Sequence, residues 1–267
     1  MITGGSRGIG FALAKRFLEL GCRVTLAGRG ESSTRAAVDQ LQSAAAQTDA
    51  LEGVPCDVAQ LEQLEALWRR ASARAPVDMW INNAGTSAPL APLWELHAQG
   101  LQDVIDTNVR GVLLGSWVAL RGMREKSAGM IYNLEGFGAD GSSYPGVLAY
   151  GTSKRAVAYL SKALASEARA TGVRVCTIDP GAVHTDMVRA TWGSVSASNR
   201  LMAAMIDALA LPPEEVARLL APRLLANQRT GVRIRPWNDL IAWLRLFLIP
   251  LALLRGGRPT TPVDSPR

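Results

Sequence analysis

Short apolar segments alternate with longer amphipathic segments through the first 180 residues of the chain. The short segments have the length and composition of buried strands, and the long ones repeat apolar residues at helical spacing. The predicted strands are residues 23–27, 51–55, 78–82, 129–134 and 174–179. The predicted helices are residues 8–20, 35–47, 61–73, 99–126 with a break, 149–170 and 213–225. This alternation is typical of βαβ units, so we expect an α/β fold with a doubly wound parallel sheet in a single domain.

Composition narrows the class of protein. Of 267 residues, 48% are hydrophobic and 19% are charged, which is typical of a globular protein and excludes a disordered or collagenous chain. The net charge of +6 suits an anionic partner such as a phosphorylated cofactor, although a solvated basic surface would give the same value. The basic residues show no aromatic interleaving or zinc spacing, so we expect no nucleic-acid binding. The cysteines and histidines are too scattered for a disulfide framework or a metal site.

A glycine-rich segment, TGGSRGIG at residues 3–10, directly precedes the first predicted helix. Glycines permit a tight turn and a close approach of the backbone to a pyrophosphate, and a helix N-terminus attracts negative charge. The spacing G-x-x-x-G-x-G differs from the common G-x-G-x-x-G pattern, and by itself such a loop is also compatible with a plain chain reversal. The candidate phosphate-binding residues are Thr3, Gly4, Ser6, Arg7, Gly8, Ile9 and Gly10.

The end of the second predicted strand indicates which dinucleotide is preferred. Folds that bind NAD usually carry Asp or Glu about 20 residues after the glycines, where it holds the ribose hydroxyls. Here the sequence has Gly28 and Arg29, with no carboxylate. Arg7 and Arg29 can instead donate charge-assisted hydrogen bonds to a 2′-phosphate. We therefore predict that the chain binds NADPH rather than NADH.

The segment YGTSK at residues 150–154 begins a predicted helix. Residues four apart lie on the same helical face, so the Lys154 ammonium is expected beside the Tyr150 phenol. Free tyrosine has a pKa of about 10, and a neighbouring positive charge favours the phenolate. Although isolated pairs of this kind also occur by chance, the position after the fifth strand predicts Tyr150 as a proton donor and Lys154 as its partner.

Several motifs, in this order and at this spacing, are similar to those of the short-chain dehydrogenase/reductase family. They are TGGSRGIG, CDV at 56–58, NNAG at 82–85, TNV at 107–109, YGTSK and DPG at 179–181, and they cover residues 1 to about 187. The resemblance implies a Rossmann fold that transfers hydride between NADPH and a carbonyl. It implies that Lys154 binds the ribose hydroxyls and that Asn108 holds a water in the proton relay. It also implies cofactor-binding roles for Asp57, Val58, Asn83, Ala84, Gly85, Pro180, Gly181 and Thr185.

One position departs from the family pattern. Members usually carry a serine two or three residues after the asparagine of the fifth strand, but here Asn133 and Leu134 are followed by Glu135 and Gly136. Ser142 or Ser143 could supply the hydroxyl that orients the carbonyl, or the substrate could require less orientation by the protein. A non-catalytic NADP-binding scaffold is a further alternative.

The same departure resembles the plant and algal chlorophyll b reductases, which carry an acidic residue and glycines at this place. Residues 211–225 and the basic, apolar segment that follows are also similar to those enzymes. The resemblance implies reduction of the formyl group of chlorophyll b, or of chlorophyllide b, to hydroxymethyl. It also implies a tetrapyrrole as the small-molecule substrate and a chloroplast location near thylakoid membranes. A general reductase of a 3-oxoacyl thioester, steroid or sugar carbonyl is the alternative.

We predict an NADP-binding domain at residues 1–235 and a tail at 236–267. Only Met1 and Ile2 precede the glycine loop, so the first strand is expected to be truncated or unusually short, and a substrate lid is expected at about residues 186–226. Residues 240–254 are nearly all apolar but too few to span a membrane. They suit a dimer or core helix, a wall of an apolar pocket, or a peripheral membrane anchor within 237–255. Homo- and hetero-oligomers are both compatible with the sequence.

Overall fold

A computed structural model describes residues 1–45, 49–192 and 209–237 of the chain. The strands of these residues form one parallel seven-stranded sheet with the order β3-β2-β1-β4-β5-β6-β7. They are β1 (Ile2–Thr3), β2 (Val24–Gly28), β3 (Leu51–Pro55), β4 (Met79–Asn82), β5 (Gly129–Leu134), β6 (Val173–Ile178) and β7 (Arg233–Ile234). The chain order reverses between β1 and β4, which opens a crevice at the carboxyl edge of the sheet. The predicted doubly wound α/β fold is confirmed.

Helices cover both faces of this sheet. In chain order the α-helices of the described residues are α1 (Gly8–Glu19), α2 (Glu31–Leu41), α3 (Leu61–Arg74), α4 (Ala98–Ile105), α5 (Gly111–Arg124), α6 (Leu148–Glu167), α7 (Asp186–Trp192) and α8 (Pro213–Ala226). Short 3₁₀ turns follow α2 and α6 and precede α4. The break predicted within residues 99–126 is a π-helical turn between α4 and α5, at Asp106–Arg110.

Alternation along the strands divides the apolar residues into two cores. Leu26 and Ile81 point to one face of the sheet and belong to the core that includes α1 and α8. Ala27 and Trp80, one position away on the same strands, belong to the core that includes α3 and α5. Successive side chains of a strand point to opposite faces of the sheet, and helices cover both of these faces. The side chains on both faces of a central parallel strand must therefore be apolar. This explains why the strands read as short continuous apolar runs.

The first strand, expected to be truncated or unusually short, is the two-residue β1. Ile2 pairs with Leu26 of β2 and with Ile81 of β4, so even this short strand is held on both sides. The glycine loop therefore leaves the sheet at its centre, directly beside the loop that follows β4.

Several elements differ from the sequence prediction, and helix α7 is one that was not predicted. Helix α2 begins at Glu31, four residues before the predicted start at 35, because the Ser33 and Thr34 hydroxyls donate to the Gly30 carbonyl at 3.0 and 2.7 Å and complete the first turn. Strand β7 was not predicted, since two residues carry no periodicity. It exists because it pairs with Thr177 and Ile178 of β6.

A buried polar network joins the strands that lead to the crevice. The Asn82 side-chain nitrogen donates to Asn133 Oδ1 at 2.8 Å and to Ser116 Oγ at 3.0 Å, and Asn133 Nδ2 donates to Ser161 Oγ at 2.9 Å. These groups lie on β4, β5, α5 and α6. Buried polar groups that satisfy one another favour one arrangement over alternatives, so the network fixes the register of β4 against β5.

Within the region expected to form a lid, the two described helices have different places in the fold. Met187, Val188 and Thr191 of α7 line the crevice. Helix α8, at the predicted residues, instead buries Val216 and Leu220 in the core against α1.

Trp237, expected in the tail, packs against that same core. The remaining tail and its apolar run lie outside the described residues. Within the part of the chain that the structure describes, no helix is long and apolar enough to cross a membrane.

Candidate active site

A cleft of about 820 Å³ opens at the carboxyl edge of the sheet, where the strand order reverses. Another cavity, of about 520 Å³, lies at the opposite edge, near the amino ends of β2 and β4. Most predicted site residues line the larger cleft. They are Gly4, Ser6, Arg7, Gly8, Ile9, Arg29, Asp57, Val58, Asn83, Ala84, Gly85, Tyr150, Lys154, Pro180, Gly181 and Thr185. The larger cleft is therefore the candidate active site.

Two predicted residues of the glycine loop lie behind the cleft and brace it. Thr3 Oγ1 accepts hydrogen bonds from the backbone N–H groups of Asn83 and Ala84 at 3.0 and 3.1 Å. The Asn83 side-chain nitrogen donates in turn to the carbonyl oxygens of Thr3 and Gly4. A Cβ at Gly10 would collide with the Gly4 carbonyl oxygen and with Asn83. These contacts lock the glycine loop to the loop after β4.

The cleft has the features that a dinucleotide needs. Helix α1 begins at Gly8 with no capping side chain and no acidic residue in its first turn. Its first backbone N–H groups and positive dipole end are therefore available to a pyrophosphate, and Gly8 and Ile9 line the cleft. The residues present thus fit a phosphorylated cofactor.

The end of β2 leaves no room for a carboxylate. A Cβ at Gly28 would lie 2.6 Å from Thr34 Oγ1 and 3.1 Å from Ser6 Oγ, so an Asp or Glu cannot stand there without displacing both. Arg7 and Arg29 line this part of the cleft together with Ser33, which the sequence analysis missed. The Ser33 position has no motif, and only the early start of α2 brings it here.

Tyr150 and Lys154 lie one turn apart at the beginning of α6, and both face the cleft. Lys154 is 3% exposed, and its Nζ donates to the Leu134 carbonyl oxygen at 3.0 Å. The same Nζ lies 5.6 Å from the centroid of the Tyr150 ring. The predicted pairing on one helical face is therefore present.

The pKa of Tyr150 is raised in this structure and not lowered, although its pairing with Lys154 predicts a shift towards neutrality. Burial disfavours the phenolate and raises the pKa of Tyr150 to about 12. Burial also disfavours the ammonium and lowers the pKa of Lys154 to about 8, while the charge of Glu135 acts in the opposite direction. Tyr150 is thus a neutral hydroxyl that can donate a proton, as an acid in carbonyl reduction must.

Asn108 is fully buried in the π-helical turn and does not line the cleft. Its Oδ1 accepts from the Thr86 backbone N–H at 2.8 Å, and its Nδ2 donates to the Thr86 carbonyl and to Ser153 Oγ at 2.8 and 2.9 Å. The side chain therefore joins the loop after β4 to α6. Its implied role in holding a relay water stays a prediction.

The position of the expected serine is occupied by the Tyr150 hydroxyl. A Cβ at Gly136 would collide with that hydroxyl and would lie 3.3 Å from Tyr150 Cζ and 3.5 Å from Lys154 Cε. Ser142 and Ser143 are exposed and do not line the cleft, so the suggestion that either replaces the missing hydroxyl is not supported. In this site, glycine makes space that a serine would fill.

Sequence reasoning also missed a charged group at the far side of the cleft. Glu135, Asp179 and Arg233 line it at the ends of β5, β6 and β7. Glu135 directly follows a predicted strand and Asp179 is the last residue of another, so the rule that strand ends carry functional side chains could have found them. The same rule could not have found Arg233, because the sequence did not predict β7.

A dinucleotide-sized crevice, a glycine loop at an uncapped helix and a facing tyrosine–lysine pair define a nicotinamide-dependent oxidoreductase. The sequence model of the short chain dehydrogenase family matches residues 1–194. The chain therefore belongs to the short-chain dehydrogenase/reductase family.

The chain is 34% identical over 257 residues to the chloroplastic chlorophyll(ide) b reductase NOL of Oryza sativa subsp. japonica, covering 92% of this chain and 73% of that protein. It is 32% identical over 233 residues to a putative ketoacyl reductase of Streptomyces coelicolor, covering 83% and 87%. A solved variant of actinorhodin polyketide ketoreductase with NADPH has a TM-score of 0.76 and 29% identity, covering 88% and 94%. Other structures of this fold contain NADH or NAD⁺. The fold therefore binds nicotinamide dinucleotides with and without the 2′-phosphate.

Replacing Tyr150 by Phe removes the proton donor and leaves the ring in place. We expect kcat for carbonyl reduction to fall by about 100-fold or more. The affinity for NADPH, measured by fluorescence titration, should change little because the glycine loop is untouched. Turnover equal to that of the wild type would contradict the role of Tyr150.

Placing a serine at position 136 should lower the activity of the enzyme rather than raise it. Gly136→Ser and Gly136→Ala both force the Tyr150 hydroxyl to move, and we expect kcat/KM to fall by about tenfold or more. Gly100→Ala is the matched control, since a Cβ at Gly100 in α4 meets nothing within 4 Å. A serine variant more active than the wild type would show that the hydroxyl position is not set by Gly136.

Proposed function

We propose that this protein uses NADPH to reduce the formyl group of chlorophyll b, or of chlorophyllide b, to hydroxymethyl. The observation that carries the proposal is the 34% identity to a chlorophyll(ide) b reductase across 92% of the chain. That alignment extends beyond residue 194, where the match to the general family ends. The acidic residue and glycine at Glu135 and Gly136, in place of a serine, agree with the same subfamily.

The proton transfer follows from the position of Tyr150. A nicotinamide cofactor, when bound, supplies the hydride that forms the new C–H bond at the carbonyl carbon. The Tyr150 O–H bond breaks as its proton moves to the carbonyl oxygen, which becomes the hydroxyl of the product. The negative charge left on the Tyr150 oxygen is stabilised by the nearby Lys154 ammonium, and solvent then returns a proton to the phenol.

Several apolar side chains line the cleft and suit a hydrophobic substrate. Phe137 is 42% exposed and lines the cleft directly after Gly136, and Val147, Met187 and Val188 line it as well. Apolar pockets with a few convergent polar groups are typical of sites for flat organic ligands. Phe137 and Tyr150 line the same cleft, so a tetrapyrrole bound there could contact both.

The preference for NADPH rests on charge at the end of β2. Arg7 and Arg29 line the cleft beside Ser33, and Gly28 excludes the carboxylate that would hold a ribose 2′-hydroxyl. A 2′-phosphate can accept hydrogen bonds from these groups, whereas NADH offers them no negative charge.

The proposal includes a chloroplast location close to thylakoid membranes, in keeping with the chloroplastic relative. Residues 237–255 would provide peripheral contact with the membrane through apolar and basic side chains. This part of the proposal rests on the sequence of the segment and on the relative alone.

The decisive experiment is product analysis with the purified full chain. Chlorophyll b, chlorophyllide b and an acetoacetyl thioester are each incubated with NADPH, and the products are identified by absorbance and mass. We expect the two pigments to gain two hydrogens at the formyl group. Reduction of the thioester alone would favour a general ketoacyl reductase, which the similarity to the Streptomyces coelicolor protein supports as the second candidate. Cofactor binding without turnover on all three would indicate a scaffold.

Removing the Arg29 guanidinium tests the cofactor preference. We expect Arg29→Ala to raise the KM for NADPH by about tenfold or more while changing the KM for NADH little, because only the 2′-phosphate loses a partner. Steady-state kinetics with both cofactors measures this. Arg35→Ala, an exposed position of α2 outside the cleft, is the control. An equal effect of Arg29→Ala on both cofactors would contradict the assignment.

A further inference from the structure

Glu135 is a buried carboxylate in the wall of the cleft that the proton transfer from Tyr150 does not use. It directly follows β5, is 6% exposed and lines the cleft. Its backbone N–H donates to the Ile178 carbonyl of β6 at 2.8 Å. The backbone at Glu135 is therefore fixed, and so is the position from which its side chain extends.

Arg233, from the edge of the sheet, pairs with this carboxylate and with Asp179. Arg233 Nε lies 2.5 Å from Glu135 Oε2, and Arg233 Nη2 lies 3.2 Å from Asp179 Oδ2. Arg235 Nε contacts the same Asp179 oxygen at 3.0 Å. A buried charge is costly unless it is paired, and these arginines offset that cost. The Glu135 carboxylate is thus held by an ion pair in the wall of the cleft, where its charge also acts on other groups that line it.

Lys154 is the cation that this charge reaches inside the cleft. Its Nζ donates to the carbonyl of Leu134, the residue immediately before Glu135. Across the cleft, Nζ would lie 3.8 Å from a Cβ at Gly85, and the neighbouring Asn108 side chain is uncharged. On its own helix Tyr150 lies one turn away and is neutral at physiological pH, because burial raises its pKa to about 12. The adjacent Arg155 donates to the Ala139 carbonyl oxygen. Arg233 and Asp179 lie beyond Glu135, as parts of its ion-pair network.

We propose that Glu135 is a positioning residue for the reaction, whose fixed carboxylate keeps Lys154 in its ammonium form inside the cleft. Burial lowers the pKa of Lys154 to about 8, and the charge of Glu135 opposes that shift. Without this carboxylate, more of the Lys154 population would be neutral at physiological pH. At the next position, Gly136 leaves the space beside Lys154 and Tyr150 free of any side chain. Glu135 and Gly136 thus place a carboxylate and a glycine, and no serine hydroxyl, directly after β5.

Lysine NMR tests this proposal without cofactor or substrate. The sequence contains four lysines, Lys15, Lys126, Lys154 and Lys162, so ¹³Cε-labelled lysine gives four signals, and the Lys154→Arg variant assigns the one of interest. In the wild type the Lys154 signal should titrate near pH 8. In Glu135→Gln its midpoint should fall by about one pH unit, because the ammonium loses its opposite charge. Glu135→Asp, which keeps the charge, should restore most of the shift.

The matched control is Glu52→Gln. Glu52 is also a mostly buried carboxylate on a strand, and it forms ion pairs with Arg70 and Arg74. It lies outside the cleft. This variant should leave the Lys154 midpoint unchanged. Equal midpoints in the wild type and Glu135→Gln, with the other three lysine signals retained as evidence of folding, would overturn the proposal.

A kinetic measurement extends the test to the proposed function, on which only this part depends. For the reduced substrate, the alkaline limb of kcat/KM should move to lower pH in Glu135→Gln and stay in place in Glu52→Gln. If the NMR midpoint shifts but no carbonyl compound is reduced, the proposed function fails and the role of Glu135 stands. If the midpoint does not shift while reduction occurs, the role of Glu135 fails and the function stands.

Discussion

The structure depends on the junction between β1 and β4, where the order of the strands reverses. With two residues, β1 can hold its place only because Ile2 pairs on both sides and Thr3 and Asn83 tie the two following loops together. These hydrogen bonds set the width of the crevice and direct the free N–H groups of α1 into it. Cofactor binding in this protein is therefore a consequence of how the centre of the sheet is closed.

Desolvation is the main electrostatic effect in the catalytic part of the cleft. It moves the pKa of Tyr150 up and the pKa of Lys154 down, so both groups are pushed towards their neutral forms. A neutral phenol is useful as an acid, but a neutral amine cannot stabilise the phenolate that the reaction leaves behind. A fixed negative charge beside Lys154 resolves this conflict, and Glu135 is the described residue that supplies it.

The edge of the sheet contributes to the site through charge rather than through a binding motif. Strand β7 has only two residues, yet it brings Arg233 against Glu135 and Asp179 at the ends of the two preceding strands. These ion pairs are partly shielded from water, so they fix the geometry of the cleft wall more firmly than exposed pairs would. A small peripheral element can therefore influence the reactive centre of the enzyme.

The sequence by itself determined the α/β architecture, the glycine loop, and the Tyr150–Lys154 pair. Strand and helix periodicity and one-turn spacing are local properties, and they can be read without knowing what packs against them. Only the tertiary structure decided the pKa of Tyr150, the place of α8 in the core, and the contact of Arg233 with Glu135. It also decided that Gly136 makes room for the Tyr150 hydroxyl. Desolvation and steric contact arise between segments far apart in the chain, so no local pattern encodes them.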